Sequence, residues 1–312
     1  MSVPGILPIN KPEGARSTDC VSSIRRILGR KVKTGHGGTL DSTASGVLVI
    51  LAGQATRLSN FIMELPKVYE TEVTFGSATS TDDASGEIIE CLPWDHLTDA
   101  ALDSALCAFF GWRMQSPPAV SAVHIDGQRA HVLARSGQAA LPEARPVCFL
   151  DISRLSGIDE KGKVLLRVAC RKGTYIRSFA RDLGRYLGTA AHVSRLTRVS
   201  SGPFRIERAM CAERAFSMSK EELSDAVIPA SSLCDIFPCY EADGNSFERL
   251  SHGQRISLAG LRRRLPLLPH PLRGRVIVAS EKIFSICSAH RKGGSWELAP
   301  EVNIMAEGEG EQ

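Results

Sequence analysis

Apolar residues recur along this chain at two spacings, every third or fourth residue and every second residue. The changes between them divide it into elements. Ile6-Leu7-Pro8-Ile9 is a short apolar run ending in a turn at Asn10-Lys11-Pro12. From Ser17 to Leu28, Val21, Ile24 and Leu28 share a face, Ser17 or Thr18 can cap the start, and Gly29 stops the end, which predicts a helix. Val47 to Ala52 is wholly apolar and predicts a buried strand. Gln54 to Leu65 predicts a second helix, with Ala55, Leu58 and Ile62 on one side. Tyr69, Thr71, Val73 and Phe75 then alternate with polar neighbours, the period of a strand. Glu87 to Cys91 is a short strand, and Thr98 to Phe110 a capped amphipathic helix closed by Gly111. Arg145 to Ile158 and Lys163 to Cys170 read as paired strands. A helix capped by Thr174 follows, with Ile176, Phe179, Leu183 and Leu187 as its buried stripe. His192 to Val199 is a further strand, closed by Ser201-Gly202-Pro203-Phe204.

Two stretches break this order. Gln115-Ser116-Pro117-Pro118 opens an insertion that runs to about Arg145, with a turn at Asp126-Gly127 and a short helix ending at Arg135-Ser136-Gly137. An insertion of that length suits a cover or grip for a ligand. Near residue 235 the texture changes. Cys234 to Gly244 reads as a linker, and beyond it short β-like runs flank a basic, proline-rich loop from Leu261 to Arg275. The predicted class is α+β: a large mixed, mostly antiparallel sheet carrying helices over residues 1–235, and a small β domain over 236–306. A polar tail, 307–312, is expected to be disordered.

Composition narrows the class. At 43% hydrophobic and 23% charged, the 312 residues are those of a soluble globular protein. No apolar run approaches bilayer length, so no membrane association is expected. The start lacks the basic-then-apolar order of a secretory leader. Nine cysteines without a Cys-x-x-Cys pair read as reduced thiols, which points to the cytoplasm. The histidines complete no zinc pattern, and neither metal nor organic cofactor is expected. The net charge of +4 hides an uneven distribution. From Lys161 to Arg208 there are twelve lysines and arginines against Asp182 and Glu207, a local net of +10. Such a block suggests a polyanionic partner, nucleic acid being the commonest.

The candidate chemistry gathers around Gly35-His36-Gly37-Gly38-Thr39-Leu40-Asp41-Ser42-Thr43-Ala44-Ser45-Gly46, directly before the apolar strand. Its glycines permit sharp bends, and it carries one imidazole, His36, and one carboxylate, Asp41. A phosphate-cradling loop would need Gly-Lys-Ser or Gly-Lys-Thr at its close, and Asp41 would repel phosphate. Lys11 is fixed in a turn, either aimed or simply exposed. Tyr69 is either core packing or a ring offered to a ligand. Asp82 and Asp83 could suggest a metal, but the turn residues around them explain them without one. Arg177, in a helix's first turn, opposes the helix dipole and so calls for an anionic partner.

In order, these segments resemble the TruB family of tRNA pseudouridine synthases. The resemblance rests on Asn10-Lys11-Pro12, Gly35-His36-Gly37-Gly38-Thr39-Leu40-Asp41, Gly46-Val47-Leu48, Lys67-Val68-Tyr69 and Thr79-Ser80-Thr81-Asp82. It continues through Pro117-Pro118-Ala119-Val120-Ser121-Ala122, Ala134-Arg135-Ser136-Gly137, Lys172-Gly173-Thr174-Tyr175-Ile176-Arg177 and Ser201-Gly202-Pro203-Phe204. It covers residues 5 to 210, and the C-terminal part resembles a PUA-type RNA-binding barrel. What it implies is isomerisation of a flipped-out T-loop uridine, uridine-55 of tRNA, to pseudouridine. It makes Asp41 the catalytic acid, either attacking the sugar or stabilising charge on it, and Arg177 the partner that keeps it ionised. It further implies that Tyr69 stacks on the base and moves a proton, Leu196 touches the base, and His36 enters the gap left in the T-loop. Lys11, Lys172, Tyr175 and the basic block would bind substrate. The partner implied is the tRNA T-arm, taken up by a monomer. Gly37, Ser42, Val120, His124 and His131 depart from the family pattern and bear on RNA grip, since Asp41, Tyr69 and Arg177 are intact. The alternative is a non-catalytic tRNA-binding or RNA-chaperone protein on the same fold.

Overall fold

The computed structural model describes residues 5–120, 124–125, 128–129, 142–264 and 274–305. In chain order its first strands are β1 (Gly5–Lys11), β2 (Thr34–His36), β3 (Ser45–Ala52), β4 (Lys67–Phe75), β5 (Ser77–Thr79), β6 (Ile88–Cys91) and β7 (Gly111–Gln115). A two-residue pair, β8 (His124–Ile125) and β9 (Gln128–Arg129), precedes β10 (Arg145–Arg154), β11 (Lys163–Cys170), β12 (Ala191–Ser201), β13 (Phe204–Arg205), β14 (Met210–Cys211) and β15 (Ile228–Pro229). The last are β16 (Cys239–Glu241), β17 (Ile256–Ser257), β18 (Arg262–Arg264), β19 (Arg275–Ala279), β20 (Ile283–Lys292) and β21 (Ser295–Met305). The first sheet runs β14-β1-β3-β12-β4-β11-β10-β7, with β13, β15 and β2 paired to its members. Only β1–β14 and β3–β12 are parallel, so the sheet is mixed and mostly antiparallel, as the patterning predicts. The second sheet runs β17-β21-β20-β19-β16-β18, the small C-terminal β domain.

The central position of β3 explains its composition. Val47 to Ala52 are all buried, because the strand is covered on both faces. On one face of β4, β10 and β11 lie α3 (Asp99–Phe109) and α4 (Ile176–Tyr186). Phe179 meets Phe109 edge-on at 5.4 Å between centroids and Phe149 at 5.2 Å, which locks α4 to the sheet. This fixes the first turn of α4, where Arg177 projects. Helix α1 (Ser17–Leu28) covers β1 and β3 from the other side through Cys20, Ile24 and Leu28.

Several local expectations are corrected. The stretch Gln54–Leu65 is a 3₁₀ turn (Gly53–Leu58) followed by the short helix α2 (Ser59–Glu64). Neither Ser17 nor Thr18 caps α1. Arg16 holds the cap position, and the Ser17 hydroxyl instead donates to the Leu40 carbonyl at 2.7 Å and accepts from the Leu40 amide at 3.0 Å. The tertiary partner wins because it is buried and bonds both ways. Tyr175, not Thr174, caps α4, and the Gln115 side chain satisfies its backbone in both directions, at 2.9 and 3.1 Å. The stretch Cys234–Gly244 is no free linker. Leu233, Cys234, Phe237 and Cys239 are buried with Phe61 and Ile6 on one side and Ile277, Phe284 and Ile304 on the other, one apolar cluster spanning both sheets. The expected turn and helix of the 115–145 insertion, most of the 261–275 loop beyond Arg264, and the 307–312 tail lie outside the described residues.

Candidate active site

The loop between β2 and β3 is held from every side. The Gly37 amide donates to Val49 O at 2.8 Å, and the Gly14 amide to Ser42 O at 2.7 Å. A Cβ at Gly37 would overlap the Ile62 side chain, which is why this position takes glycine here. Beneath the loop lies Arg198, with 2% of its surface exposed. Its guanidinium donates to Val47 O at 2.7 Å, Thr39 O at 3.0 Å and Gly38 O at 3.1 Å. The backbone of Gly46, at φ 109°, packs so closely on the Arg198 main chain that any Cβ would overlap it. The loop is therefore clamped by carbonyl–guanidinium bonds rather than by its own sequence.

Asp41 emerges from this clamped loop with its side chain 40% exposed, into a cleft of about 1460 Å³. Arg177 Nε donates to Asp41 Oδ2 at 2.9 Å. The rest of the guanidinium is occupied too: Nη1 donates to Thr81 O at 3.0 Å and lies 3.6 Å from Asp83 Oδ2, and Nη2 donates to Val120 O at 3.2 Å. Every side of the cation is fixed, so it can hold Asp41 in one orientation. The anionic partner called for by its place on α4 is thus two carboxylates, Asp41 and Asp83. Burial works against the Asp83 anion, yet bonds from Ser85 and Thr81 and the Arg177 charge hold its carboxyl below the usual range. Asp82, at φ 61°, turns the other way and accepts from buried Arg181 at 2.8 Å, with burial pushing its carboxyl up. The acids of this turn serve arginines. Among the described residues no group of three His, Cys, Asp or Glu side chains is placed to hold a metal ion.

Tyr69, Leu196, Tyr175 and Lys172 line the same cleft as Asp41 and Arg177. Tyr69 on β4 stands in register with Arg198 on β12. Burial raises the Tyr69 hydroxyl above an ordinary phenol, and the Arg198 charge opposes that rise. Tyr175 is likewise raised, by burial and then by Asp41. Lys172 is exposed and pairs with Glu64 at 2.9 Å.

Two candidates stand elsewhere. Lys11 is neither aimed at solvent nor merely exposed. It is fully buried, and its Nζ donates to Pro12 O and Ala15 O at 2.8 Å each. It has no surface to offer a phosphate; it ties the turn after β1. His36 ends β2 outside the lining of the cleft, its Nδ1 accepting from the Gly38 amide at 3.3 Å. Burial, then the Arg198 charge, lowers its pKa. The basic block is only partly available at the surface: Arg185, Arg195, Arg205 and Arg208 are exposed, but three of its twelve cations are buried and others are paired. Arg177, Arg181 and Arg198 are buried, while Lys163 and Arg167 pair with Glu72 and Glu70.

Two residues of the site escaped the sequence reading. One is Arg198, and the other Lys67, quoted there within Lys67-Val68-Tyr69 but given no role; it lines the cleft and donates to Ile62 O, Met63 O and Leu65 O at 3.0, 2.6 and 2.7 Å. Burial, with Arg198 nearby, pulls its ammonium down to about 7. A signal existed for Arg198: it follows Leu196 by two on a strand, which puts a cation on the inward face.

Residues 25–176 match the profile described as TruB family pseudouridylate synthase, N-terminal domain, and residues 177–234 that of the tRNA pseudouridylate synthase B C-terminal domain. The chain is 39% identical over 263 residues to the tRNA pseudouridine synthase B of Thermobifida fusca, covering 82% of this chain and 87% of that one. Against the tRNA pseudouridine synthase B of Paracoccus denitrificans the identity is 36% over 300 residues, 96% of each. In fold it resembles a chain of the crystal structure of a Cbf5-Nop10-Gar1 complex, with a TM-score of 0.69 at 24% identity over 96% of this chain and 84% of that one.

Proposed function

The chain belongs to the TruB family of pseudouridylate synthases, and from that premise we propose that it isomerises uridine-55 in the T-loop of tRNA, with Asp41 as the essential carboxylate. It is a tRNA pseudouridine synthase, and so an isomerase. The bond from C1′ to N1 of the uridine breaks, the base turns, and C5 joins C1′ while the C5 hydrogen leaves as a proton. The target is buried in a folded loop and must be flipped out to reach a cleft. Asp41 acts at C1′, by attack or by stabilising the charge left when the base detaches. Arg177 orients it. Tyr69 stacks on the base, and its hydroxyl, protonated in its buried setting, relays the C5 proton by passing its own on as it accepts. Leu196 forms the apolar wall, Tyr175 and Lys172 flank the entry, and His36 fills the space the uridine leaves. The second sheet serves as a PUA-like RNA-binding domain. The protein acts on the T-arm as a monomer in the cytoplasm.

The observation that carries this reading is the Asp41–Arg177 pair at 2.9 Å in a cleft that Tyr69 and Leu196 also line. Binding RNA would need no half-exposed carboxylate held by a buried guanidinium; an anion brought up to a sugar carbon does. The test is tritium release from a tRNA transcript labelled at uridine C5. Wild type releases tritium, Asp41→Asn does not, and a transcript with cytidine at position 55 loses the signal. Release by Asp41→Asn at the wild-type rate overturns the role of Asp41. No release by wild type, with tRNA still bound, leaves a binding or chaperone protein.

A further inference from the structure

The cleft that holds Asp41 continues to the seam between the two sheets, where Arg57, Glu64 and Lys172 face Arg275, Glu301 and Asn303. At this seam one carboxylate holds two cations from different sheets. Lys172, on the loop before α4, donates to Glu64 Oε1 at 2.9 Å, and Arg275, on β19, donates from Nη1 to Glu64 Oε2. Arg275 Nε is taken by Glu301 Oε2 on β21 at 2.6 Å. Glu64 is the last residue of α2, where free carbonyls make a negative charge unfavourable. Its carboxyl is nonetheless held below the usual range, first by the Lys172 hydrogen bond and, against burial, by Arg275. Two cations thus converge on one pair of anionic oxygens, at a point open to the same cleft as Asp41. That is the arrangement a backbone phosphate meets when two side chains grip it.

We propose that Lys172 and Arg275 form a seat for one backbone phosphate of the bound RNA, and that Glu64 is the internal anion occupying it in the free protein. The inference rests on the tRNA reading above. A phosphate presents the same two acceptor oxygens, so it replaces Glu64 bond for bond. The Glu64 side chain, 24% exposed, swings out to water, and Glu301 keeps the guanidinium oriented on its own sheet. The exchange is nearly balanced, since partly exposed pairs are worth little. An RNA that fills the cleft but presents no phosphate at the seam therefore gains nothing there. While Glu64 is present, a phosphate at the seam adds little, and removing the Glu64 charge uncovers the seat.

The test is the dissociation constant of a tRNA transcript across a salt series, for wild type, Glu64→Gln, Arg275→Gln and the double variant. Glu70→Gln is the charge control, because Glu70 pairs with Arg167 outside the cleft. Wild type failing to bind tRNA counts against the tRNA reading itself. Given binding, Glu64→Gln is expected to tighten it roughly 5-fold at low salt and to steepen the salt slope by about 0.7–0.9. Glu70→Gln changes it less than about 2-fold, and the gain disappears in the Arg275→Gln background. Binding by Glu64→Gln that is unchanged or weaker, with a lowered melting temperature, makes Glu64 a strut between the sheets and overturns the proposal. A gain that survives Arg275→Gln overturns it too.

Discussion

Replacing Arg198 with methionine tests how the loop that carries Asp41 is held. The side chain is 2% exposed and its guanidinium serves three carbonyls, of Val47, Thr39 and Gly38, at 2.7 to 3.1 Å. Each bond to a charged donor contributes roughly 1.5–3 kcal/mol, and each carbonyl left buried without a donor costs about 1–3 kcal/mol. Removing the charge also removes its own burial penalty, which offsets part of the loss. The net expected is about 3–5 kcal/mol of stability, a large share of the roughly 5–15 kcal/mol a domain possesses. At about 2–4 °C per kcal/mol for a chain of this size, the melting temperature falls by some 6–20 °C. Activity falls further, because Gly38 and Thr39 lead to Asp41. A loop displaced by about 1 Å is worth on the order of 100-fold in rate. The assay pairs urea denaturation with single-turnover tritium release at a temperature where both proteins are folded. Arg198→Lys keeps the charge with fewer bonds and falls between. A methionine variant that melts within a degree of wild type and turns over within about twofold would refute the clamp.

Three further outcomes follow from the same geometry. Gly46→Ala brings a Cβ into the Arg198 main chain at φ 109°, so stability drops by about 3 kcal/mol or more, and a denaturation midpoint equal to wild type contradicts that. For Lys67, lowered to about 7 in the fold, the unfolded chain holds a proton that the folded chain lacks from there up to its ordinary 10.5. Stability from this residue is thus lowest below pH 7 and rises with pH through that window, by up to about 1.4 kcal/mol per pH unit. Lys67→Gln flattens the rise, read as the difference between the two proteins in urea midpoints at pH 7 and 9. Lys11→Met lowers the melting temperature by uncovering Pro12 O and Ala15 O, but leaves the salt slope of tRNA binding unchanged; a slope reduced by about 1 would return Lys11 to the RNA surface.

Elements governed by one period were legible from sequence. The bounds of α1, the buried run of β3 and the stripe of α4 follow from spacing alone, because each element buries one continuous face. The caps were not. Ser17 and Thr174 are good capping residues, but Ser17 found a buried partner 23 positions away, and the cap of α4 depends on Gln115, 60 positions from Tyr175. In the site, Asp41, Tyr69 and Arg177 stood out through their motifs. Arg198, Lys67 and the true place of Lys11 did not, since a lone lysine or arginine reads as surface until the sheet brings carbonyls around it.

The basic block makes the same point about charge. Its local net of +10 is a property of the sequence, but apart from Asp182, which pairs with Arg181, its neutralising carboxylates come from elsewhere: Asp41, Asp82, Asp83, Glu64, Glu70 and Glu72 all precede it in the chain. Once the chain folds, half of those twelve cations are buried or paired with a carboxylate, and a count along the sequence overstates what RNA can feel. The cations that matter to a polyanion are the exposed ones, such as Arg185, Arg195 and Arg205, and those whose partner can leave. Arg177 is 7% exposed and Asp83 behind it equally so, and such a pair gains nothing by opening. Lys172 is 55% exposed, and its carboxylate sits at the edge of the cleft. Exchange with phosphate thus fits the seam, while rigidity is a property of the loop that carries Asp41, and the same residue types serve both because burial decides which role each takes.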